Sequence, residues 1–237
     1  MEIKPFRAYR FNEEIVGDPG TCIAPPYDVI DELGQRDLYQ LNPYNIVRAI
    51  KGIKDPKDTE KNNVYTRAAE YLQNAIREKA LIAEPEEAIY AYVQNFQIAE
   101  KAYQRSGIIA LGGLEPFGRG VQPHEKTLEG PKADRLNLTR ATAAQFGQIF
   151  MLYDDPEQIA EQIIRQVMQA RPSIDFTDKE SVRHRLYVID RSGLIESFVE
   201  NMASKQTIIA DGHHRYETAL NYWAETKNPL ARWQMMT

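Results

Sequence analysis

In Thr207-Ile208-Ile209-Ala210-Asp211-Gly212-His213-His214-Arg215-Tyr216-Glu217 an apolar strand enters an Asp-Gly turn and leaves it as a helix. Helix N-termini carry partial positive charge and favour acidic side chains in their first turn, so a His-His-Arg start opposes the local field. A bound anion would resolve that conflict. Unbonded backbone N–H groups, the dipole, the Arg215 fork and two imidazoles suit a phosphate, and Gly212 permits the sharp turn and a close backbone approach. Two other readings compete. In one, Asp211 caps the helix and Glu217 pairs with His213 one turn on, so that the basic turn is merely solvated. In the other, Asp211, His213, His214 and Glu217 ligate a metal, although His-His-x-x-Glu is not a zinc-peptidase spacing and adjacent helical residues point about 100° apart. Capping accounts for Asp211 but not for three consecutive basic side chains, which favours the phosphate.

Outward from that stretch, periodicity predicts a mixed α+β (α/β) fold, an antiparallel-rich sheet with helices. Ile3 to Tyr9 alternates like a strand. Asp31 is placed to cap a helix that Asn42-Pro43 ends, and Ile46 to Ile50 reads as a short strand. Val64, Ala68, Leu72 and Ile76 recur at helical spacing within an expected long helix from Thr59 to Leu81. Ala88–Ile98 and Tyr103–Leu114 form an expected antiparallel hairpin. A Gly- and Pro-rich loop from Glu115 to Pro131 precedes a helix over Leu136–Gln145 and a strand over Gln148–Tyr153. Asp155-Pro156 signals a helix start. His184–Asp190 is a strand, Ser192 caps a helix through Met202, and Gln206–Ala210 leads into the basic helix, whose expected buried stripe is Tyr216, Ala219, Leu220 and Trp223. The change of character near residue 115 is the candidate boundary, giving regions 1–115 and 116–237. Arg232 to Thr237 resembles the opening of a buried strand without a partner, as in a longer protein or one that pairs with a second chain as a homodimer.

Composition narrows the function classes. The 237 residues are 43% hydrophobic, enough for a proper core. A net charge of −5 and a pI near 5.5 argue against duplex nucleic acid, which needs a basic face, but not against a small anion in a local pocket. Cys22 is the single cysteine, so no intrachain disulfide forms. No signal peptide and no apolar run of roughly 18 residues is present, which makes a cytoplasmic protein without membrane contact the expectation.

The glycine-rich loop holds a second polar set, Gln122-Pro123-His124-Glu125-Lys126-Thr127, followed by Lys132, Asp134 and Arg135. His124 and Glu125 offer a general base, Thr127 a hydroxyl, and Lys132 and Arg135 a further basic patch. Phosphoryl transfer needs positioning, charge neutralisation and one oriented nucleophile, so a carboxylate beside a phosphate cradle would complete a site. Arg48 is a further candidate anion contact.

The ordered set of Pro25-Pro26-Tyr27-Asp28, Asn42-Pro43-Tyr44-Asn45, Pro123-His124-Glu125-x-Thr127 and Asp211-Gly212-His213-His214-Arg215-Tyr216 resembles the domain-of-unknown-function family 1015 across essentially the whole chain. Members of that family are typically longer. More distantly, Pro-His-Glu and Asp-Gly-His-His-Arg are similar to motifs of the archaeal free-serine kinase of the ParB and sulfiredoxin-like superfamily, where the helix after the glycine turn binds nucleotide phosphates. The resemblance implies a ParB/sulfiredoxin-like strand–turn–helix and a kinase using ATP or ADP with Mg on a small hydroxylated, serine-like substrate. Carried onto this sequence, it implies Glu125 as base and Asp211 and His214 in catalysis, with Asp211 helping to hold nucleotide-bound Mg. Gly212, His213, His214, Arg215, Lys132 and Arg135 would bind phosphates, and His124, Thr127, Tyr27 and Asp28 the substrate. The alternatives are a nucleotide-binding regulatory module without turnover and a metal-dependent phosphodiesterase.

Overall fold

A computed structural model of the chain describes residues 1–125 and 129–237. In chain order the elements are β1 (Ile3–Lys4), β2 (Tyr9–Phe11), α1 (Glu13–Val16), α2 (Glu32–Leu41), α3 (Val47–Ile50), α4 (Val64–Arg77), β3 (Leu81–Ala83), β4 (Ile89–Ile98) and β5 (Lys101–Gly113). They continue with β6 (Val121–Gln122), α5 (Glu129–Thr142), β7 (Phe150–Leu152), α6 (Ile159–Val167), β8 (Ile174–Thr177), β9 (Arg183–Ile189), α7 (Ser192–Ala203), β10 (Thr207–Asp211), α8 (His213–Thr226) and β11 (Trp233–Met236). The fold is mixed α+β with predominantly antiparallel sheets.

Two compact units divide the chain, both discontinuous in sequence: residues 1–8, 85–132 and 147–237 form the first, and 9–84 with 133–146 the second. Position 115 therefore falls inside the first unit.

The first unit is built on a six-stranded sheet ordered β1-β5-β4-β9-β8, with β11 also paired to β5. Alternation places Ile89, Ala91 and Val93 on one face, where they pack with Ile163, Ile164 and Val167 of α6 and Phe198 and Met202 of α7. A second sheet, β6-β10-β7, has β6 parallel and β7 antiparallel to β10. Beneath it Tyr216 and Ala219 of α8 close a core with Leu114, Val121, Ile149, Met151, Ile209 and Met236. The terminal strand expected to lack a partner finds two, β5 and Ile149, so β11 joins the sheets.

In the second unit β2 pairs with β3, and Ala49, Ala68 and Leu138 pack with Tyr65 and Tyr71 around α4 and the later part of α5. Asp31 caps α2 as its sequence predicts, its carboxylate accepting from Gly34 N at 2.7 Å. The expected strand at 46–50 is instead the helix α3. Asn45 fixes it by accepting from Val47 N at 2.9 Å, which overrides the β-branched composition.

Other boundaries move for local reasons. The strand expected over 3–9 breaks at Phe6, which pairs alone with Ala88. α4 starts at Val64, because Asn63 and Thr66 form a reciprocal capping box. Asp155-Pro156 forms a turn ahead of α6, with Gln158 left-handed at φ 56° and the Asp155 carboxylate reaching Ala160 N at 3.0 Å.

Candidate functional site

β10 delivers its last residue, Asp211, into Gly212 at φ +99°, a left-handed conformation that favours glycine. A β-bulge between Ile209 and Asp211 re-aims the strand end. α8 then runs for 14 residues with no side-chain cap at its start, so Asp211 does not serve as the cap. Its carboxylate is engaged by Arg215, which also donates to the Gln148 carbonyl. The guanidinium lies where a side chain on Gly212 would stand: a Cβ there would meet Arg215 Nε at 3.0 Å, and one on Gly147 would meet its Nη1 at 3.2 Å. Arg215 thus ties the strand end, the helix start and the segment entering β7 together, with its charge matched by Asp211.

Because β6 runs parallel to β10, with Thr207 opposite Val121 and Ile208 opposite Gln122, Pro123-His124-Glu125 leaves the sheet at the end where α8 begins. The backbone N–H of His124 donates to His213 Nε2 at 3.2 Å. An amide can only donate, so this nitrogen is unprotonated and Nδ1 carries the hydrogen. Nδ1 lies 3.7 Å from a Glu125 carboxylate oxygen. The His213 side chain is 3% exposed and that of Glu125 60%. Burial, and secondarily the neighbouring His124 imidazole, lower the His213 pKa below 6.5, while Glu125 and Asp211 oppose the shift. The site therefore pairs a neutral, buried imidazole with a solvent-facing carboxylate. His124 stands edge-on to His213 with ring centres 4.5 Å apart, and its Nε2 is 3.3 Å from the Ala210 carbonyl.

The fold thus brings Glu125, His124, Asp211, Gly212, His213 and Arg215 together. His214 lies half-buried in the first turn of α8. Lys132 reaches α8 through Glu217, 3.1 Å away, so Glu217 pairs with Lys132 rather than with His213. Thr127 lies outside the described residues. Tyr27, Asp28 and Arg135 belong to the second unit. There the Arg135 guanidinium lies 4.0 Å over the Tyr27 ring and donates to the Ile50 carbonyl at 3.0 Å and to Asp134, while Asp28 is exposed. Arg48, in the same unit, donates to the Tyr39 carbonyl at 2.8 Å.

The metal reading is not supported by the geometry. Asp211 and Glu217 are each held in an ion pair, and among the described residues no group of three or more His, Cys, Asp or Glu is placed to hold a metal ion. Gln148 was not anticipated as part of the site. It contributes a backbone carbonyl, which leaves no side-chain signal.

Among the described residues no helix is long and apolar enough to cross a membrane. No curated protein and no solved structure matches the chain. The family model described as a protein of unknown function, DUF1015, matches residues 3–237, and the chain belongs to that family.

Proposed function

We propose that this protein is a nucleotide-dependent phosphotransferase acting on a small hydroxylated metabolite of the serine type, with its site at the head of α8. The observation that carries the reading is the approach of Glu125 to within 3.7 Å of His213 at an uncapped helix N-terminus. The similarity of Pro-His-Glu and Asp-Gly-His-His-Arg to the serine-kinase motifs of the ParB/sulfiredoxin-like superfamily supports it.

The residues fit a Mg-nucleotide in a specific way. The Asp211–Arg215 pair is exchangeable, since the Asp211 side chain is 67% exposed: the guanidinium would turn to phosphate oxygens and the carboxylate to Mg, conserving charge on both sides. First-turn amides of α8 and the helix dipole add anion stabilisation, and His214 and Lys132 stand within the same helix neighbourhood. The bound nucleotide supplies the phosphoryl group. Glu125 accepts the proton of the substrate hydroxyl as its oxygen bonds to phosphorus and the P–O bond to the departing nucleotide breaks. The Nδ1–H of His213 faces Glu125 from 3.7 Å and would orient the carboxylate that must hold the substrate. Thr127 and His124 remain proposed contacts for the substrate.

The test is incubation with ATP or ADP, Mg²⁺ and serine or related hydroxy compounds, followed by detection of the phosphorylated product. Turnover that falls at least about 100-fold in Glu125→Gln is expected for a general base. No product with any acceptor defeats the reading. Nucleotide binding without turnover, lost in Arg215→Ala and indifferent to Glu125, would mark a regulatory module instead.

A further inference from the structure

The side of the α8 head away from Glu125 carries a row of alternating cations and rings. Phe150 is the cross-strand partner of Asp211, so their side chains share a face and their Cα atoms are about 5 Å apart. The Arg105 guanidinium lies 5.3 Å over the Phe150 ring and 5.9 Å over Phe96. Phe96 stacks on Tyr103, its register partner on β5, with centroids 5.9 Å apart and planes 17° from parallel, and the Lys101 ammonium lies 5.2 Å over Tyr103.

Two features separate this row from an ordinary surface. Tyr103 is 38% exposed, Arg105 is exposed and Phe96 and Phe150 are half-buried, so the row borders solvent. Among the described residues neither Arg105 nor Lys101 meets a carboxylate; Arg105 spends Nε and Nη2 on one uncharged acceptor, Gln94 Oε1, at 2.9 and 2.7 Å. Uncompensated cations between aromatic faces suit a guest that is planar, electron-rich and anionic. The place is also fixed. Arg215 holds the Gln148 carbonyl two residues before Phe150 while engaging Asp211, so the ring is tied to the helix start.

We propose that Phe150 and Arg105 form the base subsite for a nucleoside di- or triphosphate whose phosphates lie at the head of α8. The inference rests on the phosphotransferase reading and adds a direction to it. The nucleotide enters from the β7 side and the hydroxyl acceptor from the β6 side, where Glu125 stands.

Titration calorimetry of the full chain with Mg-ATP and, separately, with Mg-tripolyphosphate tests this directly, because only the first ligand has a base. Phe150→Leu, which keeps apolar bulk but loses the π face, is expected to weaken Mg-ATP about tenfold and to leave tripolyphosphate within about twofold; Phe150→Trp restores ATP binding. Equal weakening of both ligands, or no change in either, overturns the subsite while leaving the phosphate site standing. Failure of the wild-type chain to bind either ligand removes the subsite together with the reading beneath it. A single-stranded oligonucleotide bound more tightly than ATP, and lost in Tyr103→Ala, overturns it in favour of a nucleic-acid platform.

Discussion

His124 gives its backbone amide to His213 across 3.2 Å, and that bond fixes which nitrogen of the buried imidazole carries the proton. Protonating His213 would put a second N–H against the His124 N–H and leave the amide without an acceptor. Burial already depresses the His213 pKa. The folded state therefore resists a proton that the unfolded chain takes up near pH 6.5. Stability from this group is fully present above that value and is lost as pH falls through the lower folded-state pKa. Urea denaturation at a series of pH values should show wild-type stability declining below about pH 6.5, with a shallower decline in His213→Gln. Parallel profiles would show that His213 does not carry the linkage.

Gly212 is the most constrained backbone position of the site. Alanine there faces a left-handed φ and a guanidinium at 3.0 Å, so Arg215 must shift by a few tenths of an ångström between Asp211 and Gln148. The conformational term alone is about 1–2 kcal/mol. Gly212→Ala should lose at least that much in chemical denaturation and weaken nucleotide binding, whereas Gly193→Ala, where a Cβ meets nothing within 4 Å, should change neither.

Much of this arrangement is legible in the sequence because local chemistry and tertiary structure agree. The apolar run ending in Asp211-Gly212 specifies strand, turn and helix at once, Asp31 has a side chain able to cap α2, and the alternation through Ala88–Ile98 reports a sheet with one buried face. The failures come where a distant or backbone group outweighs local preference. Ile46 to Ile50 has strand-like composition, yet Asn45 binds Val47 N, the Ile46 N–H is taken by the distant Cys22 carbonyl at 2.7 Å, and Ile50 N closes a helical turn on the Ile46 carbonyl at 3.1 Å. Arg215 looks like an unmatched phosphate ligand until Asp211 and the Gln148 carbonyl come beside it. Phe150 and Arg105 carry no motif; their meaning appears only when β5 and β7 bring them together.

Asn45 gives the Asn-Pro-Tyr-Asn motif its physical meaning. Its side chain is fully buried, donates to the Thr21 and Ile23 carbonyls at 2.8 Å each and accepts from Val47 N. It holds the segment entering Pro25-Pro26-Tyr27-Asp28. Aspartate has nearly the same shape but points an acceptor at two carbonyl oxygens. Asn45→Asp should therefore destabilise the chain at least as much as Asn45→Ala, each by about 2 kcal/mol or more, read from urea unfolding. A neutral Asn45→Asp would show that the bonds to the 21–23 segment are dispensable.

Tyr216 connects the basic helix to the strand that opens the glycine-rich loop. Its hydroxyl donates to the Glu115 carbonyl at 2.8 Å and accepts from the Glu115 amide at 3.1 Å, while its ring is fully buried and stacks on Phe117 at 5.1 Å. Removing the hydroxyl leaves the packing almost intact and two backbone groups unpaired, so Tyr216→Phe should cost about 1–3 kcal/mol, and Tyr216→Ala about 3–5 kcal/mol from the cavity it opens. Since both bonds go to Glu115, two residues past the end of β5, hydrogen exchange in Tyr216→Phe should rise first at Glu115 and through the 116–122 segment, ahead of the β4–β5 hairpin. Exchange that rises uniformly across the first unit would instead mean that Tyr216 supports the whole core.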